Sequence, residues 1–134
     1  MPPPAEQTRG TDIEHILLVG HHGVVRQAAS LLMDREDDLE VVAQAASVAE
    51  VREKMAQGGI DAAVVDVPLP DGGADELVGE LRRAAPPVPV LVLTPEGDQE
   101  ASEAFLNSGA REVLSKGCAF AELLAAVRRL GNHA

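Results

Sequence analysis

Asp66, Thr94 and Lys116 each close or follow a short apolar run, and Gly20, His21 and His22 follow another. A carboxylate and an ammonium that meet at such a place form an ion pair. Singly, each residue has a plainer role: an aspartate ending a strand caps a helix, a threonine there is neutral, a lysine before a glycine is a surface charge. His21 and His22 beside Asp66 raise the possibility of a transition-metal site, since imidazole suits zinc, copper, nickel or iron. Adjacent residues rarely aim at one ion, however, and neither His15 nor His133 joins them at helical spacing. No metal site is expected, and one histidine filling a pocket beside Asp66 is the simpler reading. Gly20-His21-His22-Gly23 fits neither the dinucleotide fingerprint nor the P-loop. Cys118, two residues past Lys116, is read as an inert single thiol.

The elements that must position these residues alternate. Ile16–Val19, Leu39–Ala45, Ile60–Val65, Val88–Leu93 and Glu112–Leu114 are short, largely apolar runs, the pattern of strands covered on both faces of a parallel sheet. Between them lie helical stretches. Val24, Val25, Ala28, Leu31 and Leu32 recur at helical spacing; Ser47-Val48-Ala49-Glu50 is a capping-box pattern, and Gly58-Gly59 ends the helix it opens. Asp75–Ala85 stops at Pro86-Pro87, Glu100–Ser108 stops at Gly109, and Phe120, Leu123, Leu124, Val127 and Leu130 stripe a last helix. Five strand–helix units predict an α/β fold: a doubly wound, five-stranded parallel sheet of flavodoxin-like order 2-1-3-4-5 with five helices. In such a sheet ligands bind beyond the carboxyl ends of the strands, where Gly20, His21, Asp66, Thr94 and Lys116 fall.

Bulk properties narrow the function. Hydrophobic residues are 46% of the 134 and aromatics only 1%, so one core must be built from Val, Leu, Ile and Ala. Eleven basic against 22 acidic side chains give a net charge of -11, which repels phosphate backbones and argues against nucleic-acid binding by this domain. A single cysteine allows no internal disulfide, and no apolar run is long enough to span a membrane. The expected address is the cytoplasm. Residues 1–12 read as a loose Pro-rich arm, 13–131 as the domain and 132–134 as a tail.

The segments Leu17-Leu18-Val19-Gly20-His21-His22-Gly23, Asp61 to Gly73, Val88 to Thr94 and Gly109 to Lys116 together resemble the response-regulator receiver family (CheY-like), most closely its NarL/LuxR-type class. The likeness runs from about Glu14 to Leu130. It implies two-component phosphorelay signalling, in which an aspartate takes a phosphoryl group from a histidine kinase. By motif position Asp66 is the phosphoacceptor, Lys116 the balancing charge, and Thr94 the hydroxyl that meets the phosphoryl group. Catalysis of that transfer rests on positioning and electrostatics.

The sequence departs from the family where the resemblance implies two adjacent acids holding magnesium. Gly20 and His21 stand there, leaving one carboxylate of three for a cation that wants oxygen ligands. A charge pair at ~4 Å and a dielectric of ~20 is worth about 4 kcal/mol. Discounted to ~1–2 kcal/mol per acid, the loss weakens binding by roughly one to three decades. Magnesium binding is therefore expected to be weak or absent, and Asp66 is expected to stand in an ion pair with Lys116. Val113, Pro95 and Ala74 replace a switching aromatic, a small residue and a loop glycine.

The reading is an atypical receiver, not an enzyme, regulating transcription through an output domain outside this chain. Its expected partners are a sensor histidine kinase or another signalling protein, and a second copy. The copy would dock through the fourth helix, fifth strand and fifth helix, or through the first and fifth helices. Alternatives are an ordinary phosphoaccepting receiver and, from another class, a small-ligand-binding or protein-interaction scaffold.

Overall fold

The computed structural model describes residues 13–95 and 98–131. The arm expected over 1–12 and the tail over 132–134 lie outside the described residues. Five strands, β1 (Glu14–Val19), β2 (Leu39–Ala45), β3 (Ala62–Asp66), β4 (Val90–Thr94) and β5 (Glu112–Ser115), alternate with five helices. These are α1 (Gly23–Asp34), α2 (Val48–Gln57), α3 (Ala74–Arg83), α4 (Gln99–Ser108) and α5 (Phe120–Gly131). All strand pairs are parallel and the order is β2-β1-β3-β4-β5, as the alternating pattern predicts.

Strand side chains alternate across the sheet and split the core in two. Ile16, Leu18, Val64 and Leu91 face Met33 of α1 and Ala126, Val127 and Leu130 of α5. Leu17, Val19, Val65 and Val92 face Val51 of α2 and Leu77, Val78 and Leu81 of α3, with Phe105 of α4 packed at the margin. Phe120 packs at the margin of the first layer. Phe120 thus sits where helical spacing places it.

Local chemistry explains the helix ends. Ser47 Oγ accepts the Glu50 N–H at 3.2 Å, while the Glu50 carboxylate takes the N–H of Ala46 rather than that of Ser47, a shifted capping box. Asp71, in the loop after β3, adds a second cap by accepting the N–H groups of Val48 and Ala49 at 3.0 and 3.2 Å. Those backbone bonds, Val48 first, hold its carboxyl below the usual range.

Helix α1 differs from what its spacing suggests. Val24 is 82% exposed and Leu31 70%, with Val25, Ala28 and Leu32 also outside. The helix packs instead through Ser30, Met33 and Ala29. Its aliphatic stripe is real and points to solvent.

Candidate functional site

The carboxyl ends of the strands bring the expected residues together. Parallel pairing sets Asp66 beside Leu93 and Thr94 beside Ser115, so Asp66, Thr94 and Lys116 fall on one rim. The Lys116 N–H donates to the Thr94 carbonyl at 2.8 Å, continuing the β4–β5 ladder and fixing where the lysine leaves the sheet. Its Nζ then reaches Asp66 Oδ1 at 2.9 Å, so the expected ion pair is present. The contact lacks the alignment of a directed hydrogen bond and is a charge contact between two partly covered groups. Thr94 is buried, at 2% exposure.

Gly20 completes the floor. Its N–H donates to Ala45, and it sits so close to Asp66 that a Cβ here would stand 3.3 Å from Asp66 Cβ and 3.5 Å from Oδ2. His21 and His22 are exposed, with ring centroids 3.9 Å apart, so their rings meet each other. Among the described residues, no three His, Cys, Asp or Glu side chains are grouped to hold a metal ion. Below Gly20 and Asp66 a cavity of about 50 Å³ opens between α1 and α5, walled by Leu18, Val25, Ala29, Met33 and Leu123.

Two residues at this rim were missed by sequence reasoning. Arg26 donates to the Gly20 carbonyl through Nη1 and to Gln44 Oε1 through Nε at 3.0 Å, tying the β1–α1 turn to β2. Its place one turn into the helix that follows the glycine was the available signal. Gln44 offered none, because its partner comes from another element. The Cys118 thiol is pushed up by burial and then by Glu122, which keeps it protonated and unreactive.

Comparison with known proteins bears on the fold and the family. The family model of the response regulator receiver domain matches residues 16–128. The DNA-binding transcriptional activator DevR/DosR of Mycobacterium tuberculosis is 35% identical over 87% of this chain and 54% of its own length. The transcriptional regulatory protein UhpA of Salmonella typhimurium is 33% identical over 87% of this chain and 58% of its own. The chain therefore spans about half the length of these curated relatives. Among solved structures, a two-component response regulator of the LuxR family from Aurantimonas superposes with a TM-score of 0.83 at 26% identity, covering 90% of this chain and 86% of that one. The chain therefore belongs to the response regulator receiver domain family, and its relatives are of the NarL/LuxR type.

Proposed function

We propose that this domain is an atypical receiver in two-component signalling, with Asp66 as its formal phosphoacceptor and little magnesium-dependent phosphorylation. Lys116 is the charge that would meet a phosphoryl group on Asp66, and Thr94 the residue whose hydroxyl would turn to it. The carrying observation is the standing Asp66–Lys116 ion pair beside a glycine. Gly20 supplies no side-chain oxygen and His21 supplies nitrogen, so the donor set does not fit a cation that demands oxygen ligands. Without a metal to draw it away, Lys116 stays on the carboxylate and masks the nucleophile. Pro95 beside Thr94, and Val113 packed at the core margin, favour one fixed state.

The test is incubation with acetyl phosphate and magnesium, or with beryllofluoride, read by intact mass and by amide shifts. No stoichiometric adduct is expected; an adduct lost in Asp66→Asn makes the domain an ordinary phosphoaccepting receiver.

The regulated output is transcription through a domain outside this chain, in keeping with DevR/DosR and UhpA. The cytoplasm is the matching compartment, and no described helix is long and apolar enough to cross a membrane. A sensor kinase or another signalling protein supplies the input. Self-association through the α1/α5 face is favoured over α4-β5-α5, because most of the exposed large aliphatics lie on α1.

A further inference from the structure

At the amino ends of the strands, opposite the rim, the first residue of β1 is a carboxylate in a largely apolar strand. Glu14 is 9% exposed, and among the described residues its Oε2 has no hydrogen-bond partner. A buried polar atom left unpaired is costly, and an ionised one more so. The carboxyl lies against the last residue of α5. A Cβ on Gly131 would stand 2.8 Å from Glu14 Cδ and Oε1 and 3.2 Å from Oε2. A side chain at position 131 would displace the carboxyl from this place.

The surroundings are acidic. Asp38 precedes β2, and its carbonyl accepts the Glu14 N–H at 2.9 Å. Asp61 precedes β3 and is held by His15, whose Nδ1 lies 3.0 Å from Asp61 Oδ2; His15 Nε2 lies 3.8 Å from Glu40. The partial negative charge at the C-terminal end of a helix adds to this field at Gly131. Arg128 of α5 is the nearby cation, and it is committed elsewhere. It holds Asp38 through Nε at 2.8 Å and Glu36 through Nη2 at 2.7 Å. Burial first, then Asp61 and Asp38, push the Glu14 carboxyl up to about 7, against the opposing pull of Arg128.

We infer that Glu14 is a proton-sensitive clasp between the head of β1 and the last turn of α5. Protonated, the carboxyl sits neutral against Gly131 and the turn stays packed. Ionised, it gains a charge among Asp38, Asp61 and the helix end, moves toward water, and the turn loosens. A neutral-range pH change is thereby read out at the C-terminal turn of α5, at the other end of the strands from Asp66. The inference does not rest on phosphorylation at the rim.

Sign follows from linkage. A carboxyl raised in the folded state favours that state most below its unfolded value, and the preference is lost as pH climbs to the folded value near 7. The test is an NMR titration of the Glu14 Cδ of the intact chain from about pH 5 to about pH 9, with amide-exchange protection of Val127 to Gly131 followed in parallel. Expected are a midpoint near neutrality, a fall in protection of at least about threefold through it, and a tight, pH-insensitive turn in Glu14→Gln. His15 is intact in that variant, so a pH response that survives there overturns the clasp. A Glu14 midpoint in the ordinary carboxylate range of about 4–5 overturns it too. Should Glu14→Gln fail to fold, the wild-type curves decide: coincident midpoints support the clasp and separate ones refute it.

Discussion

Gly20 and Asp66 are held so close that a side chain at position 20 would press directly on the Asp66 side chain. A new Cβ 3.3 Å from Asp66 Cβ would force a shift of a few tenths of an ångström. Any side chain at position 20 therefore has to be accommodated by a small movement of the Asp66 side chain.

Restoring oxygen donors should restore metal dependence. The double variant Gly20→Asp, His21→Asp adds two carboxylates beside Asp66, which repel one another unless a divalent cation is present. Its melting temperature should lie below wild type in chelator and rise with millimolar magnesium, while wild type stays flat. A wild type that responds equally to magnesium would refute the weakened-site reading.

Removing Lys116 should unmask Asp66 at a cost. Lys116→Ala leaves a carboxylate that is only 21% exposed without its cation. A loss of about 1 kcal/mol is expected, and a cycle with Asp66→Asn should give a coupling of about 0.5–1 kcal/mol. Urea denaturation of the four proteins measures it. A coupling near zero would mean that the two groups meet without holding one another.

Arg128 should matter in a pH-dependent way. Its hydrogen bonds to Asp38 hold that carboxyl below the usual range, so their contribution is present above about pH 4 and is lost as pH falls through the folded value. Both groups are partly exposed, and Arg128→Ala should cost about 0.5–1 kcal/mol at pH 7, less in high salt and less in acid. Because Arg128 also pulls Glu14 down, its loss should move the Glu14 midpoint further up.

Leu31 and Val24 should be dispensable for folding. At 70% and 82% exposure they contribute little core, so Leu31→Glu should change stability by less than about 0.5 kcal/mol. Self-association through α1 should be abolished by the same change. Light scattering reads the mass, and an unaltered dimer would move the interface to another face.

The strand ends at the rim were legible because the runs Ile16–Val19, Ile60–Val65 and Val88–Leu93 stop at Gly20, Asp66 and Thr94. Alternation then gives the doubly wound parallel sheet, of which the order 2-1-3-4-5 is one of two common arrangements. Asp66, Thr94 and Lys116 could be placed on one rim from strand ends, with no knowledge of loops. The side of α1 that packs was not legible. Val24, Val25, Ala28, Leu31 and Leu32 make the stronger stripe, yet Ala29 and Met33 are the ones buried, because the turn at Gly20–His22 sets the rotation of the helix. Arg26 on the Gly20 carbonyl and Asp71 on the N-terminus of α2 were equally hidden, since each partner is chosen by tertiary approach. Glu14 lies two positions outside the run that marked β1, and only the fold shows its carboxyl buried against Gly131.

The central sheet is also a partition. Val127 and Leu130 lie in one compartment, Val51 and Val78 in the other, with the strand backbones between them. Destabilising changes on opposite sides should add, whereas changes within one side should compound or compensate. The α1 and α5 exterior can therefore be rewritten for new associates while the rim-bearing loops keep their support from the far layer.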